Sequence, residues 1–392
     1  MLKLAYAQET AYLATLEALV RFETPTEDKL ACDALADHMA ELLASDGWDV
    51  SRHSRSAAGD ILEARIAGGA GPKTLLLTHY DTVWPVGTEQ RMSWRRDGNL
   101  VYGPGTCDMK GGIAAAIHAL KLLQQAGMGP AGDVTLLITS DEESGSHHSR
   151  ELIESLARAH DRVLVLETSR DDGAIKIGRK GVGAYRVTFR GRSAHSGNNP
   201  EQGASALREL AHFLLFAEEL ANQEAQTTVN LTVASGGTVV NVIAEEAQAR
   251  LDVRVLRAGE AERVDAAIRT YRPRDSRVQV NVEGGLNRPP LEPTAGNAQL
   301  WSEAQERLLE LGLSLEGAIV GGGSDGNFTS AIGLPTLDGL GSSGAASHAR
   351  NEHIRLQETL ERVALLASLL NPQATSNEAK SFEGDAPEAS KG

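Results

Sequence analysis

The sequence is poor in cysteine and has fewer basic than acidic residues. Cys32 and Cys107 are its only cysteines, which excludes a disulfide framework and indicates a reducing compartment. Lys and Arg number 38 against 53 Asp and Glu, for a net charge of −15. This charge argues against binding to nucleic acid or to an anionic membrane. Apolar residues make up 41% and charged residues 23%, which is ordinary globular usage and excludes wholesale disorder.

Long apolar runs are also missing. A membrane-spanning helix needs about 18 uninterrupted apolar residues, and the strongest window, residues 113–123, is shorter and contains His118 and Lys121. Residues 1–7 carry one lysine and no apolar run of signal-peptide length. We therefore predict a cytoplasmic protein that does not contact membranes.

The spacing of apolar residues predicts an α/β fold in the first half of the chain. Residues 9–46 have the three- and four-residue periodicity of two amphipathic helices. Three compact apolar segments have the character of buried parallel strands: 75–78, 134–139 and 163–166. Helical patterns at 112–125 and 149–159 separate them. We expect a mostly parallel central sheet flanked by helices.

The pattern changes between Lys180 and Arg288, where alternating and helical segments follow in the order βαββαβ. About 110 residues of this kind form a two-layer sandwich domain of their own. Helical periodicity resumes after it, so this domain is predicted to be inserted into the first. The predicted divisions are a first catalytic segment at 1–179, the inserted domain at 180–288, a second catalytic segment at 289–370 and a disordered tail at 371–392.

Residues able to bind metal follow the predicted strands, at the sheet edge where open α/β sheets bind ligands. Separate segments supply them: His79 and Asp81, Asp108 in a glycine-rich loop, Glu142 and Glu143, Glu167, and His348 in a Gly/Ser/Ala loop. Taken singly, each is more often a surface residue. Together they indicate one metal-binding site.

The charges of these residues favour two divalent ions. Asp108, Glu143 and Glu167 with a bridging hydroxide offset four positive charges, while His79 and His348 stay neutral. Imidazole ligands suit Zn²⁺ better than Mg²⁺ or Ca²⁺. Asp81 is placed to accept a hydrogen bond from the ring nitrogen of His79 that does not bind metal. Of the adjacent acids Glu142 and Glu143, one is free to act as a general base, and we assign Glu142 to that role.

Four ordered motifs resemble the cocatalytic-zinc peptidase family that includes bacterial glutamate carboxypeptidase, aminoacylase and succinyl-diaminopimelate desuccinylase. They are HYDTV at 79–83, GPGTCDMKGG at 103–112, TSDEESGS at 139–146 and GRSAHSG at 191–197. The resemblance covers the chain to about residue 370. It implies that Asp108 bridges two Zn²⁺ ions, with Co²⁺ or Mn²⁺ as alternatives. It further implies that one ion binds His79 and Glu167 and the other binds Glu143 and His348. In the same comparison Glu142 matches the general base and Asp81 matches the acid beside His79. The resemblance also implies a cis peptide between Asp108 and Met109.

The resemblance also suggests roles for the inserted domain. It matches a lid that forms a homodimer, and His195 matches a histidine that reaches the partner subunit's site to stabilise an oxyanion. Asn241 and Arg254 match residues that hold the substrate, the arginine by a fork on a carboxylate. The sequence departs from the family at Thr168 and Ala244, where prolines are usual. Three basic residues lie near the predicted domain boundaries: Arg179, Lys180 and Arg288. They could contact a second acidic group of the substrate or be surface charges, and both interpretations stay open.

The leading hypothesis is a dizinc hydrolase that cleaves an amide next to a free carboxylate in a small or dipeptide-like substrate. This is either a carboxypeptidase or an N-acyl amino acid deacylase. One alternative is an amidohydrolase of the same fold that acts on ureido or carbamoyl compounds. Another is a catalytically silent dimer that binds carboxylates.

Overall fold

The structure is a computed structural model, and it describes residues 1–374. Packing divides the chain into two compact units. The first unit comprises Met1–Gly178, Pro293–Ile319 and the described residues from Ser324 onward, and the second comprises Arg179–Glu292 and Val320–Gly323. The domain boundaries drawn from the sequence remain a prediction. The tail predicted at 371–392 lies, from residue 375 onward, outside the described residues.

The helices of the described residues are distributed over both units. They are α1 Leu2–Ala7, α2 Glu9–Val20, α3 Lys29–Ser45, α4 Gly111–Gln125, α5 Arg150–Ala157, α6 Ala206–Glu219, α7 Ala258–Thr270, α8 Ala295–Glu310, α9 Gly326–Ala331 and α10 Leu356–Leu370. Side chains cap three of them at the amino end: Asp28 caps α3, Ser205 caps α6 and Thr294 caps α8. Within residues 1–374, no helix combines the length and apolarity that crossing a bilayer requires.

The strands are short in the first unit and longer in the second. They are β1 Asp49–His53, β2 Ile61–Ile66, β3 Thr74–His79, β4 Arg95–Asp97, β5 Leu100–Tyr102, β6 Val134–Thr139, β7 Arg162–Val165, β8 Ile175–Arg179, β9 Gly181–Arg190, β10 Thr228–Gly236, β11 Glu246–Val255, β12 Gln279–Arg288, β13 Gly317–Val320, β14 Thr336–Leu337, β15 Gly344–Ala345 and β16 His353–Arg355.

A six-stranded sheet forms the centre of the first unit, in the order β1-β2-β6-β3-β7-β14. β3 runs parallel to both of its neighbours, β6 and β7, and β14 runs parallel to β7, whereas β2 runs antiparallel to both β1 and β6. Alternate side chains of β3 enter different cores. Leu76 packs in the cluster that includes α4 and α10, whereas Leu75 and Leu77 pack with Ile153 of α5 and Phe328 of α9. Both faces are therefore covered, which explains why the central strands are continuously apolar.

The second unit has the element order β9-α6-β10-β11-α7-β12. Its antiparallel sheet has the strand order β10-β11-β9-β12, and α6 and α7 pack on it to form two layers. Phe189 and Phe213 meet in the core between them, with ring centroids 5.6 Å apart.

The predicted fold class is confirmed: a mixed α/β unit with a mostly parallel central sheet is interrupted by a βαββαβ sandwich. Strands β1 and β2 are additional to the predicted elements. β1 has the sequence DVSRH and is exposed or half-buried throughout, so it carries no strong apolar pattern. It forms an edge of the sheet, where a strand needs few buried side chains.

Candidate metal centre

The candidate centre lies in the first unit, at the carboxyl ends of β3, β6 and β7. β3 ends at His79, which is 1% exposed. The loop after β6 carries Glu142 and Glu143, and Glu167 follows β7 by two residues. Because β3 is parallel to β6 and to β7, these three segments open at the same sheet edge.

Asp108 lies between the two predicted histidines. Its Oδ1 atom is 3.2 Å from Nε2 of His79, and its Oδ2 atom is 3.3 Å from Nε2 of His348. Glu167 completes the first side, with Oε1 3.5 Å from Nε2 of His79. Glu143 completes the second, with Oε1 3.0 Å from Nε2 of His348. The two oxygens of one carboxylate thus face two separate imidazole–carboxylate pairs, and all five predicted metal ligands come together.

Glu142 lies next to this arrangement. Its carboxylate, the ring of His79 and the carboxylate of Glu167 offer ligand atoms within 4.8 Å of one another, as do His79, Asp108 and Glu143. Glu142 is therefore close enough to exchange a proton with a group held between these residues. The peptide between Asp108 and Met109 is cis, as the resemblance implied.

Asp81 connects His79 to the loop that carries the two glutamates. The main-chain oxygen of Asp81 is 3.0 Å from Nδ1 of His79, and its carboxylate is farther from that nitrogen, at 3.4 Å. The Asp81 carboxylate accepts hydrogen bonds from the main-chain N–H groups of Glu142 and Glu143, at 3.2 and 3.1 Å. The carboxylate also accepts from the hydroxyl of Thr26 at 2.7 Å, so it ties the glutamate loop to the segment of Thr26 while the main-chain oxygen of Asp81 lies nearest the ring.

Two glycines permit the close packing around Glu167. A Cβ atom on Gly112 would lie 2.0 Å from the main-chain oxygen of Leu166, and a Cβ on Gly341 would lie 1.9 Å from the same oxygen. Neither position has room for a side chain. Glycine here lets the start of α4 and the loop leading to His348 approach the segment that presents Glu167.

Glu352 is a site residue that the sequence did not reveal. It is 1% exposed, and its carboxylate accepts hydrogen bonds from main-chain N–H groups in the Asp108 loop. Burial raises the pKa of Glu352 and the charge of Asp108 adds to this, while the hydrogen bonds from the main chain oppose it. Its main partners are backbone groups, which have no sequence signature. The available signal is the GPG turn ahead of Asp108, whose N–H groups need an acceptor.

The site carries more acidic than basic groups. Burial by itself disfavours ionisation of Asp108, but hydrogen bonds from His348 and His79 hold its pKa well below the usual range. Hydrogen bonds to Asp108 and Glu143 raise the pKa of His348 to about 11. Burial raises the pKa of Glu143 to about 7, against the effect of its hydrogen bond with His348. The shifts of Asp108 and His348 thus reflect the pairing of imidazoles with carboxylates, whereas the shift of Glu143 mainly reflects its burial.

These donors fit divalent cations. Nδ1 of His79 faces a main-chain oxygen, which can only accept, so this nitrogen carries the hydrogen. Nε2 of a neutral ring then presents a lone pair to the carboxylates of Asp108 and Glu167. Lone pairs directed at carboxylates repel unless a proton or a metal cation lies between them. The mixture of imidazole and carboxylate donors suits Zn²⁺ and similar transition metals.

The other predicted site residues belong to the second unit. Nδ1 of the exposed His195 accepts from the N–H groups of Gly197 and Asn198, both at 3.1 Å, which leaves its Nε2 as the donor. Asn241 lies on the segment that pairs with His195, and its main-chain oxygen accepts from the N–H of Ser196. Arg254 of β11 pairs through Nε and Nη2 with Asp252, so two of its donor nitrogens already contact an acid.

The three basic residues near the domain boundaries, Arg179, Lys180 and Arg288, differ in their contacts. Arg179 is buried and donates to the main-chain oxygens of Gly322 and Gly323 within the second unit. Arg288 is also buried, and Lys180 donates its main-chain N–H to Val320.

Comparison with known proteins identifies the family. Residues 75–371 match the model of peptidase family M20/M25/M40, and the chain belongs to this family. It is a hydrolase with a mixed α/β metallopeptidase fold, as predicted from the motifs.

Two curated relatives match along nearly the whole chain. Carboxypeptidase G2 of Pseudomonas sp. (strain RS-16) is 33% identical over 377 residues, covering 93% of this chain and 89% of the relative. Succinyl-diaminopimelate desuccinylase of Alkalilimnicola ehrlichii is 29% identical over 386 residues, covering 91% and 97%.

Solved structures share the fold. Aminopeptidase PepT from Bacillus cereus has a TM-score of 0.77 at 21% identity, with 94% of this chain and 99% of that chain covered. The YXEP protein of Bacillus subtilis, described as a dinuclear metal-binding peptidase of family M20, has a TM-score of 0.67 at 14% identity, covering 95% and 99%.

Proposed function

We propose that this protein is a dizinc hydrolase that cleaves an amide bond next to a free carboxylate, as an exopeptidase or an N-acyl amino acid deacylase. The observation that carries the proposal is the placement of Asp108, whose two oxygens lie 3.2 and 3.3 Å from two different imidazoles. A carboxylate in this position could serve as a ligand to both of two divalent ions. By name, one relative is a carboxypeptidase and the other a desuccinylase, which supports an amide substrate.

The metal-binding residues would be His79 and Glu167 for one ion, Glu143 and His348 for the other, and Asp108 for both. Two Zn²⁺ ions held there would polarise the amide carbonyl and increase the acidity of a water molecule. Co²⁺ and Mn²⁺ would be tolerated by the same donors. Main-chain N–H bonds from Glu142 and Glu143 to Asp81 keep the glutamate loop in place.

Glu142 is the proposed proton carrier. Its carboxylate takes a proton from the attacking water and delivers it to the nitrogen of the leaving amine. Arg254 and Asn241 of the second unit would hold the substrate carboxylate, and Arg254 would then exchange its pairing with Asp252 for a fork on the substrate.

Substitution of Glu142 tests this assignment. Glu142→Ala should bind metal as the wild type does and lose about 10²- to 10⁴-fold in kcat, the usual contribution of a general base. Metal content is measured by mass spectrometry, and rates are measured on N-acyl amino acids, dipeptides and N-carbamoyl amino acids. The exposed Glu151 on α5 gives the control variant Glu151→Ala, which should keep full activity. A Glu142→Ala enzyme with a normal rate would remove Glu142 from the mechanism. Hydrolysis confined to the carbamoyl compounds would assign the protein to the ureido class.

The second unit is proposed to form a homodimer through residues 180–288. Its strand β10 lies at a sheet edge, and Leu207, Leu215, Val233, Val239 and Val240 are exposed on α6 and on or just after β10. An open edge with apolar neighbours favours pairing with another chain. His195, with Nε2 available as a donor, would then reach the partner subunit's site.

The two buried free thiols, Cys32 and Cys107, support a cytoplasmic location.

Mixing two inactive variants tests the shared site. A heterodimer of His195→Ala and Glu142→Ala chains should contain one intact site and recover up to about half of the activity per dimer. No recovery after verified subunit exchange would refute the contribution in trans.

A further inference from the structure

Glu352 has an unusual set of partners for a buried acid. Its Oε1 accepts from the main-chain N–H groups of Cys107 and Asp108, at 2.9 and 3.1 Å. Its Oε2 accepts from the N–H of Gly105 at 3.0 Å and from Nε1 of Trp84 at 2.8 Å. Four N–H groups therefore converge on one carboxylate that is 1% exposed.

The backbone of the Asp108 loop is shaped for this anion. Gly105 has a φ of +72°, and a Cβ at this position would lie 2.8 Å from Cγ2 of Thr82. The left-handed residue turns the N–H groups of positions 105, 107 and 108 inward, as in the concave backbone sites that bind anions in other proteins. Glu352 supplies that anion from within the chain.

Glu352 also connects three segments that carry predicted metal ligands. Trp84 follows His79 by five residues, the main-chain donors include Asp108 itself, and Glu352 follows His348 by four residues. A single carboxylate thus joins the strand-end loop, the bridging aspartate and the segment of the last histidine.

We infer that Glu352 is a positioning residue for the dinuclear centre, holding the main chain of Asp108 so that its two oxygens face the two imidazoles. This inference rests on the proposed metal centre. The carboxylate does not need to touch metal or substrate, because it acts through the N–H of Asp108. Groups that orient metal ligands in this way change metal affinity by about 10- to 100-fold when they are removed.

Glutamine is the informative replacement. A carboxamide keeps the shape of the side chain but has one oxygen where the carboxylate has two. In Glu352→Gln, the NH₂ group must therefore face either the two donors at Oε1 or the two at Oε2. That pair of N–H groups is left without an acceptor, and the loop must move.

The chain offers a matched control in the second unit. Glu209 is also 1% exposed and accepts from two main-chain N–H groups, those of Arg274 and Asp275, at 2.8 and 3.1 Å. Glu209→Gln removes a buried carboxylate of the same kind from a unit that contains none of the five predicted metal ligands. Loss of stability alone would be common to both variants, whereas a change in metal binding would not.

The experiment titrates metal-free protein with Co²⁺ and follows the visible absorption bands of the bound ion and the number of ions bound per chain. Wild type and Glu209→Gln should bind two ions with the same spectrum. Glu352→Gln should bind at least one ion 10- to 100-fold more weakly, with shifted bands. Trp84→Phe removes one hydrogen-bond donor and keeps the carboxylate. It should therefore shift the same absorption bands, with a loss of Co²⁺ affinity below 10-fold. This variant decides the question if Glu352→Gln does not fold.

If Glu352→Gln bound Co²⁺ with the affinity and spectrum of the wild type, the positioning role would be refuted. If Glu352→Gln cannot be made, an unchanged spectrum in Trp84→Phe would refute it instead. An equal loss of Co²⁺ affinity in Glu209→Gln would reduce the effect to general destabilisation and also overturn the inference. Wild type that binds no Co²⁺ would instead refute the metal centre itself, and the inference with it.

Discussion

A methyl group at position 341 should disable the metal centre without touching a metal-binding residue. A Cβ on Gly341 would lie 1.9 Å from the main-chain oxygen of Leu166 and 2.9 Å from that of Glu167. Real Cβ contacts are essentially never shorter than about 3.0 Å, so the two segments must separate by about 1 Å. Both neighbours are backbone atoms, and a rotamer change cannot relieve the clash.

The separation acts on two predicted ligands together, because Glu167 lies on one segment and His348 follows on the other. A displacement of about 1 Å at a catalytic group costs about 10²-fold in rate, equivalent to about 2.7 kcal/mol of activation free energy. Overpacking of this kind also lowers the free energy of unfolding by about 1 to 3 kcal/mol. We therefore expect Gly341→Ala to lose about 100-fold in kcat/KM and to remain folded at 25 °C.

The assay compares kcat/KM, Co²⁺ binding and urea denaturation for Gly341→Ala and for Gly129→Ala. Gly129 is exposed, its φ is not in the left-handed region, and a Cβ there meets no atom within 4 Å. Gly129→Ala should therefore keep full activity and gain a few tenths of a kcal/mol in stability. If Gly341→Ala retained more than a third of the wild-type kcat/KM, the close approach at Leu166 would not control the geometry of the site.

Two further predictions concern stability. Removal of metal by a chelator should abolish activity and lower Tm, because a ligand present at 100 times its Kd stabilises the folded state by about 2.7 kcal/mol. Added Zn²⁺ or Co²⁺ should restore both in calorimetry and rate assays, and full activity in chelated, metal-free protein would contradict the proposed chemistry. Burial, helped by the charge of Lys121, lowers the pKa of His118 from 6.5 to about 4. Since the unfolded chain then binds a proton that the folded chain does not, stability should fall by up to about 3 kcal/mol as pH drops from about 6.5 to 4. Urea denaturation should show a shallower pH dependence in His118→Gln and an unchanged one in His147→Gln, and an identical slope in wild type and His118→Gln would refute the buried neutral ring.

The central strands could be predicted because both of their faces are buried. Residues 75–78 were expected as a strand and β3 spans Thr74–His79, while the strand expected at 134–139 is observed as β6 with the same bounds. A run of apolar residues on both faces is a strong local signal. β1 lacks such a run, and nothing in its own residues marks the antiparallel pairing that it makes with the next strand, β2.

Residue types and their order along the chain also revealed much of the candidate site. His79, Asp108 and Glu167 stand next to predicted strand ends, so the sheet topology brings them together. Contacts made by the main chain could not be predicted from the sequence. The ring of His79 meets the main-chain oxygen of Asp81, and Glu352 meets the N–H groups of Gly105, Cys107 and Asp108. Such partners depend on backbone conformation, which residue identity does not specify.

The position of the second unit within the chain has a consequence for biosynthesis. His79, Asp108, Glu143 and Glu167 are all translated before the inserted sequence, but His348 and Glu352 follow Glu167 by more than 180 residues. At about 5 to 20 residues per second, roughly ten to forty seconds pass before the last imidazole is available. During this interval the nascent chain carries only part of the proposed set of metal ligands, so we expect the complete centre to bind metal only after His348 has been translated.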